Sequence, residues 1–184
     1  MSWHAHKSLS NGICRVGILS ILVLSFAFGG VNPAIAADIR ADGQYVLNED
    51  RAKSLIGPFY KALTAKSEKE VEEHLTSVTS SGWISCATND SCEDRKSVIS
   101  RWSRRVHAVP DMKWEFKEII VTGNKIIVRG EGTGTPSGDF LGVPYSGRSF
   151  RILAIDVHTV EQGLLSSIFH VEDWAGAARQ LRGQ

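Results

Sequence analysis

Cysteine and methionine are scarce in this chain, with three and two among 184 residues, and neither sign of charge prevails. Three thiols are too few for a small fold held together by many bridges in place of a core. No His or Cys stands near the cysteines to complete a tetrahedral metal set. Neither a GxGxxG spacing nor a GK[ST] phosphate loop occurs, so no metal and no cofactor is expected. Twenty-one basic against 20 acidic side chains leave a net charge of +1, which gives no electrostatic case for a nucleic-acid partner. No internal repeat or low-complexity segment is present. The longest apolar run, VGILSILVLSFAF at residues 16–28, falls short of the roughly 20 residues that a membrane-spanning helix needs.

That run has a different meaning. It follows Lys7 and Arg15 and leads to Ala34-Ile35-Ala36, the small-x-small pattern of a secretory signal peptide. Cleavage after Ala36 predicts a periplasmic or secreted protein of residues 37–184, a length that fits one domain. The leader takes two basic residues and no acid, leaving 19 basic against 20 acidic and a balance of −1. It also takes Cys14, so that "SCATNDSC" keeps an even pair in an oxidising compartment. Cys86 and Cys92 are expected to form a loop-closing disulfide.

Three amphipathic helices come first. Ala52, Leu55, Ile56, Phe59, Tyr60 and Leu63 recur at helical spacing behind an Asn48 cap, with a kink expected at Gly57-Pro58. Ser67 and Glu70 make a capping-box pattern ahead of Val71 and Leu75. A loop composition between Thr79 and Asp94 separates these from a third helix bearing Val98, Ile99, Trp102 and Val106, which stops before Pro110. Lys96, Arg101, Arg104 and Arg105 on that helix read as a solvated basic face, and His107 as a partner for the carbonyls at its end.

Four strands follow: MKWEFKEIIV, KIIVRGEGTG, RSFRILAIDVHTV and LLSSIFHVED. Thr122-Gly123-Asn124 and Glu161-Gln162-Gly163 are hairpin-sized connections. Helices first and an antiparallel meander second read as α+β, with the helices packed on one face of a curved sheet. If Val160 pairs with Leu164, partners in the last two strands sum to 324. Phe150, Ile152, Ala154, Asp156, His158, Ile168, His170 and Glu172 then share one side, with Asp156 and His170 as diagonal neighbours. A carboxylate beside an imidazole fixes its tautomer and raises its basicity, which suits proton transfer near neutral pH. The opposite side holds Leu153, Ile155, Val157, Leu165, Phe169 and Val171. Two readings stand: the mixed side is a pocket wall, mostly apolar with a few placed polar groups, or it is solvated and the apolar side is the core. Among the tryptophans, Trp3 falls in the leader and Trp102 on a helical stripe, which leaves Trp83 as a pocket candidate.

The phrases GTPSGDFLGVPYSGRSF, IDVHTVEQG and IFHVEDWAGAARQL resemble the SnoaL-like polyketide cyclase, or ester cyclase, family. Pro110-Asp111-Met112 is similar to the Pro-Asp-Leu that precedes the family's first long strand. The resemblance implies a nuclear-transport-factor-2-like fold, in which helices and a curved antiparallel sheet form a cone-shaped pocket. It also implies acid/base chemistry by a last-strand Asp, whose place His170 takes here. Asp173 matches the family's later acid. The His that many relatives carry after the second helix is replaced by Trp83-Ile84-Ser85.

The resulting expectation is a cofactor-independent protein that binds a small, largely apolar carbonyl or ester compound. His170 acts as acid/base and Asp156 orients it. His158, Glu172, Trp83, Phe150, Ile152 and Ile168 line the pocket, and Trp174 closes its rim. Rival expectations are a non-catalytic carrier or sensor and an interaction module. If the helices cover the mixed side, a second copy is expected to cover the apolar sheet face in a twofold homodimer.

Overall fold

The computed structural model describes residues 46–184; the leader, its cleavage site, Trp3 and Cys14 lie outside them. Helix α1 spans Glu49–Leu63 and continues through Pro58, with Asn48 Oδ1 accepting from Arg51 N at 2.8 Å. Helix α2, Glu68–Val78, is capped by Ser67. The carboxylate of Glu70 reaches one residue further back than a capping box requires, accepting from Lys66 N at 2.9 Å. Helix α3, Arg95–Ala108, starts on Asp94, which accepts from Ser97 N at 2.7 Å. A fourth helix, α4, spans Trp174–Arg182 and begins on Asp173.

The stretch read as loop is largely strand. β1 (Thr79–Cys86) and β2 (Cys92–Asp94) form a hairpin, and β1 lies parallel to the last strand. The remaining strands are β3 (Lys113–Thr122), β4 (Lys125–Gly134), β5 (Phe150–Glu161) and β6 (Leu164–Glu172). Together they form one six-stranded sheet in the order β2-β1-β6-β5-β4-β3. The Ser-rich composition of β1 hid it, because pairing on both sides and one buried face outweigh weak strand propensity. Cys86 and Cys92 are joined by a disulfide at the loop end of the β1–β2 hairpin, where it closes the connection between the two strands.

The β5–β6 register differs from the expected one. Gln162 and Gly163 both have positive φ, 49° and 78°, so the turn is a two-residue one of the type that suits strand twist. Glu161 therefore faces Leu164, and Val160 faces Leu165. A bulge at Ser166 then shifts the ladder again, and Thr159 pairs with Ser167 and Asp156 with His170. The two slips together move the partner by two residues, which preserves the face of every inner side chain from Phe150 to Glu172. Asp156 and His170 become direct partners instead of diagonal ones. Leu165, expected on the outer side, is fully buried in the core.

The mixed side is the interior. Ile126, Val128, Phe150, Ile152, Ala154, Asp156, His158 and Val160 are all buried, whereas Leu153, Ile155, Phe169 and Val171 are exposed. Phe59, Tyr60 and Leu63 of α1, Val71 and Leu75 of α2, and Val98 and Trp102 of α3 pack over this side in one cluster with Trp83 and Ile168. At the other end, α4 closes a second cluster with Phe150, Ile152, Val143 and Met112. The glycines of RGEGTG make room for large neighbours. A Cβ on Gly130 would stand 2.5 Å from the Trp114 indole nitrogen, and one on Gly134 would stand 2.4 Å from Val109. The result is an α+β cone: helices on the concave side of an open sheet, with polar side chains sealed inside. None of the helices among the described residues is long and apolar enough to cross a membrane.

Candidate functional site

Between α1 and α3 and the inner face of the sheet, Phe59, Leu63, Trp102 and Ile168 wall a small cavity whose polar lining is Ser85, Arg101, Asp156, His170 and Glu172. Its free volume is about 20 Å³, room for about one water molecule. Arg101 is 41% exposed while lining it, so this residue marks where the cavity meets solvent.

Two polar chains enter the cavity. The first starts at His158, which is fully buried on β5 behind the cavity and does not line it. Its Nε2 lies 3.2 Å from the Tyr60 hydroxyl, which donates a short hydrogen bond to Asp156 Oδ2. Because the phenol proton is committed to Asp156, His158 must donate through Nε2–H. That leaves Nδ1 as a bare acceptor, and this atom has no partner. Burial pushes His158 down to about 3, so the ring is neutral. Burial also pushes Asp156 up to about 7, against the opposing pull of the Tyr60 hydrogen bond.

The second chain runs along β6. His170 Nδ1 lies 3.0 Å from Glu172 Oε2, and the same oxygen accepts from Trp174 Nε1 at 3.1 Å. On the other edge of the ring, His170 Nε2 is 3.1 Å from Ser85 Oγ on β1. The His170 and Glu172 side chains are 13% and 17% exposed. The hydrogen bond that His170 donates to Glu172 raises the His170 pKa, against burial. Burial raises Glu172, but the bond and charge of His170 outweigh it and hold the carboxylate below its usual range.

The expected dyad therefore has a different partner. Asp156 stands opposite His170 and influences it through charge, but the carboxylate that orients the ring is Glu172. A direct cross-strand pair leaves the Asp156 carboxyl pointing into the helices, where Tyr60 holds it. A residue two positions away on β6 shares the face of His170 and can reach along the strand.

Of the expected lining residues, Ile168 and Glu172 face the cavity. Trp83 is buried in the main cluster, 5.9 Å from Phe59 by ring centroids, while Phe150 and Ile152 belong to the second cluster. Trp174 packs on Phe150 at 5.7 Å and touches the site only through its indole N–H. Asp173 caps α4, accepting from Gly176 N at 2.7 Å. Tyr60, Ser85 and Arg101 were not foreseen. Arg101 and Arg105 had read as part of a solvated basic face. Instead, Arg101 grips Glu93 with Nε and Nη2 at 3.0 and 2.6 Å, and Arg105 lies over Trp102 and donates to Leu63 O. His107 is exposed, 3.8 Å from Glu68. Among the described residues no His, Cys, Asp and Glu cluster has the makings of a metal site.

Residues 62–181 match the profile of SnoaL-like polyketide cyclases. No curated protein matches the chain. Among solved structures, TsrD from Streptomyces laurentii superposes with a TM-score of 0.64 at 23% identity, covering 75% of this chain and 99% of its own. IdmH from Streptomyces antibioticus, a candidate polyketide cyclase, gives 0.60 at 23% identity, covering 71% and 97%. A candidate polyketide cyclase from Acidithiobacillus ferrooxidans gives 0.60 at 18%, covering 75% and 99%. At these identities the superpositions establish a shared fold.

Proposed function

The chain belongs to the SnoaL-like polyketide cyclase family, and from that premise we propose that it binds a small, largely apolar carbonyl or ester compound and exchanges protons with it through His170 and Asp156. The observation that carries this reading is that a carboxyl raised to about 7 and an imidazole raised by a neighbouring carboxylate line one cavity with apolar walls. A protonated Asp156 can donate to a carbonyl oxygen while His170 removes a proton from the adjacent carbon. Such a division of labour between acid and base lowers the barrier to enol formation. Glu172 fixes the His170 ring and Tyr60 fixes Asp156. The free volume, about that of one water molecule, must widen to take the reacting carbonyl, with the remainder of the substrate toward Arg101.

Solvent deuterium uptake next to the carbonyl of short ketones and esters, followed by NMR, tests this reading. The native protein should catalyse exchange, and His170→Ala should slow it by about 100-fold or more. Equal rates in native and variant protein would remove His170 from the chemistry.

Export and association complete the proposal. The Lys7-to-Ala36 pattern acts as a cleavable signal peptide ahead of a single domain of residues 37–184, and the Cys86–Cys92 disulfide fits an oxidising destination. The outer sheet face, with Leu153, Phe169 and Val171 exposed at 55%, 43% and 71%, is covered by a second copy in a twofold dimer. N-terminal sequencing of the exported protein tests the first point. Sedimentation tests the second, and a monomer at micromolar concentration would oppose it.

A further inference from the structure

Ser85, His170 and Glu172 form a linear relay, and its Ser85 member has no part in proton exchange next to a carbonyl. We propose that Ser85 is a covalent nucleophile, activated by His170 and positioned through Glu172, and that the cavity supports hydrolysis of short-chain acyl esters. Glu172 Oε2 is 3.0 Å from Nδ1 of the ring and Ser85 Oγ is 3.1 Å from Nε2. The carboxylate accepts from Nδ1–H, so Nε2 is left bare and faces the serine O–H as a base. This is the order of groups that activates a serine on several unrelated folds.

The surroundings fit the chemistry. Ser85 is 3% exposed on a strand bonded on both sides, and its neighbour Cys86 is tied to β2 by the disulfide. The nucleophile is thus fixed relative to β6 rather than carried on a loop. Trp174 Nε1 steadies the orienting carboxylate from α4. Arg101 lines the same cavity with Nε and Nη2 bound to Glu93, and its Nη1 makes no hydrogen bond among the described residues. That N–H is the available cationic donor for a developing oxyanion. The walls from Phe59, Leu63, Trp102 and Ile168 suit a short alkyl group, and with only about 20 Å³ of free space the pocket must widen to admit even an acetyl group. The alcohol portion must lie toward the exposed Arg101.

In the first step Ser85 Oγ bonds to the acyl carbon and passes its proton to His170 Nε2. The ester C–O bond breaks and the leaving alkoxide takes that proton, giving an alcohol and an acyl-serine. Water then attacks the acyl-serine, giving its proton to His170. Ser85 leaves with that proton, and the carboxylic acid is released.

The test is covalent capture on the full exported chain, with methanesulfonyl fluoride, which sulfonylates an activated serine with loss of fluoride, and with p-nitrophenyl acetate. Peptide mass mapping should find a single modified residue, Ser85. Ser85→Ala should lose it, and Glu172→Gln should slow its formation by about 100-fold or more. No adduct with either reagent at millimolar concentration, or an adduct on another residue, overturns the proposal. An adduct that survives Glu172→Gln at the native rate overturns the relay. Deuterium exchange reads the acid/base site with no serine step, so failure of one reading is separable from failure of the other.

Discussion

Asp156 and His170 are direct cross-strand partners, yet they are not hydrogen-bonded to each other. Asp156 turns to Tyr60 on the helical side, and His170 turns along its own strand to Glu172. One pair position in the sheet thus feeds two separate polar chains into one cavity. The first holds a carboxyl raised by burial and the second an imidazole raised by a carboxylate.

Tyr60 acts on this site through Asp156. Its hydrogen bond lowers the Asp156 pKa against burial, so Tyr60→Phe should raise it further and extend the protonated form to higher pH. Losing a buried hydrogen bond should also cost about 1–2 kcal/mol of stability. Carboxyl NMR and urea unfolding read the two effects. A Tyr60→Phe protein with an unchanged Asp156 titration would mean that the short contact is not a working bond.

The disulfide should stabilise the fold by about 2 kcal/mol, because it closes a short loop. The Cys86→Ser/Cys92→Ser protein, compared with native by urea unfolding, checks this. It should also weaken reactions at Ser85 and His170, since β1 holds Ser85 beside β6. Unchanged stability would show that hairpin pairing alone fixes this edge.

The fold was legible where periodicity was strong and hidden where packing overrode composition. Ala52 to Leu63 announced α1, and the alternation from Phe150 to His158 announced β5. The residues grouped on the mixed side were grouped correctly even though the register was not, because the two-residue turn and the Ser166 bulge add up to an even shift; which side was the interior stayed open, and Leu165 was placed on the wrong one. β1 escaped notice because TSSGWISC owes its strand form to β2 and β6 on either side. For the same reason Ser85 gave no signal: its meaning comes from His170, 85 residues away. Tyr60 looked like one more member of an apolar stripe, and only its hydroxyl contact with Asp156 separates it from Phe59. His170 was singled out by its strand position, but its orienting acid lay on its own strand instead of the facing one.

Stability should depend on pH through two opposed buried groups. Asp156 is raised to about 7, so its contribution is fully present below its ordinary pKa of about 3.8 and is lost as pH rises through 7. His158 is lowered to about 3, so its contribution is present above about 6.5 and is lost as pH falls toward 3. In native protein the two slopes oppose each other between about pH 4 and 6.5. Asp156→Asn removes the first and leaves the second, so the variant's stability relative to native should climb from pH 4 to 7. Urea unfolding across that range measures it, and parallel curves would mean that Asp156 is not raised in the folded state.

The central claim is that Glu172, and not Asp156, sets the state of the His170 imidazole. An NMR titration of the His170 ring in native, Glu172→Gln and Asp156→Asn protein tests it with no substrate required. Glu172→Gln removes a negative charge and a hydrogen bond to the ring, whereas Asp156→Asn removes a charge only as Asp156 ionises near pH 7. The account predicts that both lower the His170 pKa, with Glu172→Gln lowering it more and freeing the Nδ1 tautomer. A pKa that is unchanged in Glu172→Gln, or that falls further in Asp156→Asn, would contradict it.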